Sequence, residues 1–162
     1  MTDSVMRRAR FLVIEALYES ESSDHPAIAA YERRLQEVGA EDEQLAKGNA
    51  ARFGRHALEG VLSLQEQIDR YISEAAIQFP LESMAVVDRN ILRLAIWELL
   101  SDPSAPVAAV VNEAVELAHR YGGGSSPGFV NGVLRTVSQR IRDPKDDSPP
   151  IEAETPASNN QE

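Results

Sequence analysis

Three arginines in four positions, Arg7, Arg8 and Arg10, open the first apolar run of a 162-residue chain. Guanidinium groups grip phosphate oxygens through paired hydrogen bonds, so this spacing suits a phosphate clamp. The positions are unfavourable for their own sake, because a helix N-terminus disfavours each cation by about 0.3–1 kcal/mol. An anionic ligand would offset that cost. Phe11 follows directly and can stack on a base or pack inward. A second anion-friendly stretch, Gly122-Gly123-Gly124-Ser125-Ser126-Pro127, leads into a helix whose free N–H groups and dipole attract negative charge. No Gly-Lys-Ser/Thr follows, so it is not a P-loop. The same stretch also reads as a plain helix–helix loop with a glycine cap.

Catalytic chemistry finds little support. His25, His56 and His119 are scattered and sit beside no obvious partner, and His119 falls on a polar helix face. Neither a nucleophile motif nor a two-histidine metal motif is present. The absence of cysteine excludes disulfides, thiolate nucleophiles and cysteine-ligated metals. With 16 basic and 26 acidic side chains the formal charge is −10, so nucleic acid could not be held by a bulk positive field. Local arginine clusters would have to do it.

The elements that position these residues read as helices. A first helical segment spans 4–20, with Val5, Met6, Ala9, Leu12, Val13, Ala16 and Leu17 on its core face. Phe11, Ile14 and Tyr18 lie on the opposite side. That second stripe means either a central helix buried on both sides or an exposed apolar strip that docks a partner. Pro26 starts a second helix, which runs to about Val38. A long segment from Glu41 to Phe79 is closed by Pro80; Gly48, Gly54 and Gly60 weaken its first half by about 1 kcal/mol each relative to alanine, and a bend or break is expected near Gly60–Ser63. Residues 84–101 are apolar nearly all round, as in a buried central helix. Within it, Arg93 must pair if buried, and Glu113 or Glu116 are the expected partners. Val107 to Tyr121 is cleanly amphipathic, and Ser126 is expected to cap the last helix with Pro127 at its first position. Asn112 and Asn131 are expected to be hydrogen-bonded structural groups. The division is therefore 1–143 as one all-α domain and 144–162 as a tail. That tail carries one basic and five acidic residues among four prolines, the composition of a disordered segment. The N-terminal apolar run ends at Glu15, too short for a secretory signal, and no apolar run approaches the ~20 residues of a membrane helix. The expected location is the cytoplasm, with no membrane association.

Taken together, these residues resemble the NusB family of transcription antitermination factors. Arg7-Arg8-Ala9-Arg10 with Ala16-Leu17-Tyr18 is similar to the family's opening helix. Asp88-Arg89-Asn90-Ile91-Leu92-Arg93-Leu94-Ala95-Ile96-Trp97-Glu98-Leu99 resembles its central helix. Val111-Asn112-Glu113-Ala114-Val115-Glu116-Leu117-Ala118 resembles the next, and Phe129-Val130-Asn131-Gly132-Val133-Leu134 matches the most recognisable motif. The likeness covers about residues 5–142, loosely over 22–60.

The resemblance implies an all-helical bundle of two packed subdomains, with no cofactor and no metal. It implies binding of the single-stranded boxA element of ribosomal RNA transcripts together with NusE, a small-subunit ribosomal protein, within an RNA polymerase antitermination complex. Arg7, Arg8 and Arg10 carry over as RNA contacts. The loop at Gly124, Ser125 and Ser126 carries over as an RNA approach, although here it lacks the acidic and basic residues that family members often carry. Tyr18 and Asp88 match positions in the NusE region, and Phe11 and Ile14 extend that candidate surface. Two rival readings stand beside this one. The first is a dimeric adaptor that pairs through the Phe11–Ile14–Tyr18 stripe. The second is an accessory module of a ribosomal RNA methyltransferase.

Overall fold

A computed structural model describes residues 4–143, so the acidic segment 144–162 lies outside the described residues. Eight α-helices follow in order: α1 (Val5–Ser22), α2 (Ala27–Gly39), α3 (Glu43–Lys47), α4 (Asn49–Ser63), α5 (Gln65–Ala75), α6 (Val86–Ser101), α7 (Val107–Tyr121) and α8 (Ser126–Arg142). A single 3-10 turn, Leu81–Ser83, precedes α6, and no strand occurs among the described residues. The fold is all-α, as expected.

The helices form two groups. In the first, α1 packs on α2 and α4, with α3 bridging them. In the second, α6, α7 and α8 pack on one another, and α5 lies across α6 and α8. Helix α6 also packs against α1 and α4, so one apolar core runs through both groups. Its burial follows from composition: every residue from Asn90 to Trp97 is buried, as a helix without a polar face requires. Helix α1 starts where Ser4 Oγ accepts the Arg7 N–H at 3.1 Å, an ordinary N-cap.

Several expectations change. The 41–79 segment is three helices, with a further break at Gly48 besides the one expected near Gly60–Ser63. Asp42 Oδ1 caps α3 by accepting the Leu45 N–H at 3.2 Å, and the extended backbone of Gly48 separates α3 from α4. The expected bend past Gly60 falls at Leu64, between α4 and α5. Helix α5 ends at Ala75, so Phe79 leaves the helical stripe and meets Phe129 edge-on at 5.5 Å. Arg93 is buried and paired, but not with Glu113 or Glu116. It donates to Asp69 on α5 at 2.8 and 3.0 Å, to Glu21 on α1 at 2.5 Å, and to Asn90 Oδ1 at 3.2 Å. Its face of α6 points toward α1 and α5, which helical periodicity could not reveal. Asn112 is exposed and Asn131 half-buried, and neither side chain forms a hydrogen bond among the described residues.

Tyr31 on α2 shows how the first group closes. Its ring is fully buried and its hydroxyl donates to the Ala51 carbonyl on α4 at 2.8 Å. Burial pushes its phenol up from 10.0 to about 12. The unfolded chain therefore loses this proton first. Stability should be intact below the unfolded value and decline as pH rises from about 10 toward about 12. Denaturation of the wild type and Tyr31→Phe across that window checks it: the phenylalanine variant starts less stable and the gap narrows with rising pH. A constant gap would contradict the assignment.

Candidate nucleic-acid and partner interface

The arginines at the start of α1 fan out to three different elements, and each meets a carboxylate. Arg7 makes a two-pronged pair with Glu113 of α7 at 2.8 and 3.0 Å. Arg8 pairs with Asp42, the residue that caps α3. Arg10 reaches Glu98 of α6 at 2.7 Å and lies 4.9 Å over the Phe53 ring. These pairs offset the cost of placing cations at a helix N-terminus. They also rank the arginines by access: side-chain exposure is 36% for Arg8, 26% for Arg7 and 19% for Arg10. Arg10 is held between Glu98 and Phe53 and serves the junction of α1, α4 and α6. Arg7 and Arg8 keep a face toward solvent. A phosphate arriving there must share or displace Glu113 and Asp42.

A ring contact brings the other anion-friendly stretch alongside. Phe11, one turn after Arg7, stacks on Tyr121 at 3.9 Å between centroids and 15° between planes. Tyr121 is the last residue of α7, immediately before Gly122. The loop thus starts beside the arginine turn. Within it, Gly124 has open space around it and Ser125 is exposed. Ser126 departs from expectation: it is the first residue of α8 rather than its cap, and it is buried. Its Oγ accepts the Gly123 N–H at 2.9 Å, and its own N–H donates to the Gly123 carbonyl at 3.1 Å. The Ser126 side chain therefore closes the loop on itself. Any anion contact from this stretch belongs to Gly124 and Ser125.

The partner stripe is interrupted. Tyr18 is 48% exposed, but Ile14 is buried and Phe11 is half-covered by Tyr121. Ile14 faces the core because α1 is enclosed by α2, α4 and α6, so it cannot belong to an exposed strip. Asp88 lies in the first turn of α6 and is only 8% exposed, and its Oδ1 has no hydrogen-bond donor. The two candidate residues are on adjoining elements. Glu21, one turn beyond Tyr18, pairs with Arg89, the neighbour of Asp88, at 2.7 Å. Helix α1 thus carries the arginine turn near one end and Tyr18 near the other, about 15 Å away along the axis.

Sequence reasoning missed Tyr121, which it read only as the end of an amphipathic helix, and the three carboxylates that meet the arginines. The signal for Tyr121 was its place directly between Arg120 and three glycines. The carboxylates gave none, because acidic residues are dense throughout the chain. The histidines do not converge: His56 packs edge-on against Trp97 at 5.2 Å, and exposed His25 lies 3.6 Å from Glu19. Among the described residues no cluster of histidine and carboxylate groups could hold a metal ion, and no helix is long and apolar enough to cross a membrane.

Comparison with known proteins agrees with this architecture. The family model for the NusB family matches residues 7–139. The transcription antitermination protein NusB of Roseiflexus castenholzii is 41% identical over 142 residues, covering 86% of this chain and 96% of that protein. The crystal structure of T. maritima NusB superposes with a TM-score of 0.74 at 34% identity, covering 86% of this chain and 93% of the other. A structure of antitermination factors NusB and NusE in complex with dsRNA shares the fold, with a TM-score of 0.69 at 23% identity over 83% of this chain and 96% of that one. The match runs from the arginine turn of α1 almost to the end of α8, so the chain belongs to the NusB family.

Proposed function

We propose that this chain is a non-catalytic transcription antitermination factor of the cytoplasm. In this reading it binds single-stranded boxA-type RNA of ribosomal RNA transcripts jointly with NusE, and the pair helps RNA polymerase read through terminators. The observation that carries the reading is the division of α1 into two ends. Arg7 and Arg8 lie at one end, a turn before Phe11, whose ring stacks on Tyr121 where the glycine loop begins. Exposed Tyr18 stands next to the first turn of α6 at the other. Family membership and relatives named as antitermination proteins support it.

The mechanism is bipartite. Arg8 and Arg7 hold backbone phosphates, and the loop follows the strand with its backbone. NusE covers Tyr18 and the adjoining first turn of α6 around Asp88. Neither surface need bind tightly alone, because a strand held by both proteins gains from the shared geometry. The dimeric adaptor reading is less favoured, since Ile14 of its stripe is buried.

Fluorescence anisotropy with a labelled boxA-type RNA and a scrambled strand, with and without NusE, tests the proposal. The expected result is preference for the boxA strand that strengthens when NusE is added. Equal, weak binding to both strands, unchanged by NusE, would overturn it.

A further inference from the structure

We propose that the Phe11–Tyr121 stack is a platform for one unpaired base of the bound RNA. The proposal rests on the RNA-binding reading above and adds a recognition element to it.

The geometry sets this pair apart from the other aromatic contacts. Phe53 and His56 meet Trp97, and Phe79 meets Phe129, all at steep angles of 61° to 79°. Phe11 and Tyr121 instead lie nearly parallel, 15° apart with centroids at 3.9 Å. They come from different helices, so the stack is fixed from two sides. Phe11 is half-buried and backs the ring of Tyr121, which remains 39% exposed. The chain leaves Tyr121 through Gly122, Gly123 and Gly124, which carry no side chain to cover it. A methyl added at Gly124 would meet nothing within 4 Å.

The surroundings supply the charge that a single strand needs. Arg7 lies one turn before Phe11, and Arg120 precedes Tyr121. The two guanidinium groups are near enough to oppose each other's charge. Glu113 holds one at 2.8 Å and Glu116 the other at 2.9 Å. A flat ring with a rigid back and flanking arginines is the combination that single-strand binders use: bases stack while the phosphates are held. A planar base on the outer face of Tyr121 would extend the existing stack to three layers. Arg7 would then sit where the adjoining phosphate runs. The platform selects for an unstacked base, not for its identity.

The test uses the full chain and boxA-type RNA carrying 2-aminopurine at one position at a time. Wild type and Tyr121→Phe should bind alike and quench the fluorescence at one position. Tyr121→Leu retains apolar bulk without a flat ring. It should lose that quench and bind about tenfold or more weakly, the range expected for one lost base stack. Melting temperatures check that each variant is folded. If Tyr121→Leu does not fold, the wild-type scan decides alone, and RNA binding without quench at any position would overturn the platform. Equal affinity and quench in wild type and Tyr121→Leu would also overturn it, leaving RNA binding intact. If Tyr121→Phe fails as Tyr121→Leu does, the hydroxyl matters rather than the ring, and the platform is again wrong. If the wild type binds no RNA, the functional reading itself fails.

Discussion

Replacing Arg7 and Arg8 together with alanine lowers the salt slope of single-stranded RNA binding by about 1.4, since each phosphate contact contributes about 0.7. If the two proteins converge near 1 M salt, that slope corresponds to roughly a 25-fold loss of affinity at about 0.1 M. Adding Arg10→Ala brings the slope change toward about 2 only if Arg10 also holds a phosphate. The structure argues that its share is smaller. Arg10 is the least exposed of the three and lies between Glu98 and Phe53. Its loss leaves Glu98 without its partner at the junction of α1 and α6, so Arg10→Ala should act mainly on stability. Affinity measured across a salt series, with a melt of each variant, separates the two effects. An unchanged slope in the double variant would remove Arg7 and Arg8 from the RNA site. The carboxylates sharpen the reasoning, because Glu113 and Asp42 compete with phosphate for the same guanidinium groups. The slope reports the net exchange rather than two isolated cations.

Gly60→Ala destabilises the protein by about 2 kcal/mol, the middle of the range for overpacking a dense core. At this chain length that lowers the melting temperature by roughly 4–8 °C. Helix propensity alone gives the opposite sign, since alanine is favoured over glycine in a helix by about 1 kcal/mol. Packing decides it. A methyl carbon on Gly60 would stand 1.8 Å from Trp97 Nε1 and 2.6 Å from two of its ring carbons. Trp97 cannot step aside, because it is buried and bounded by Phe53 and His56. Gly60 is thus where α4 and α6 touch, and where the two helix groups meet. The expected cycle is strongly coupled: Gly60→Ala should be harmful in the wild type and nearly neutral beside Trp97→Leu. A rise in melting temperature for the single variant would show that propensity outweighs packing there.

Much of the architecture was legible from local pattern. The amphipathic stripe of α7, the apolar run of α6 and the punctuation by Pro26, Pro106 and Gly122–Gly124 mark helices whose observed bounds agree within a few residues. Helical period depends only on neighbours three and four positions away, so it is written in the chain. The arginine turn was legible for the same reason, being three like charges in four residues. Shorter-range signals did less well. The start of α3 rests on Asp42 as its cap, and among so many acidic residues one cap does not stand out.

The tertiary structure alone decided who faces whom. The apolar residues opposite the core face of α1 could be buried on both sides or exposed in a strip, and periodicity cannot choose. Packing of α2, α4 and α6 around α1 buried Ile14 and left Tyr18 open. Arg93 needed a partner by any account, but its placement toward α1 and α5 selected Asp69 and Glu21 over Glu113. That left Glu113 for Arg7. The same assembly carried Tyr121 onto Phe11 across 110 residues of sequence. Helix formation is local, and the sequence determines it directly. The pairing of surfaces depends on angles between helices, set by the sum of many weak contacts over the whole core, which no single segment encodes.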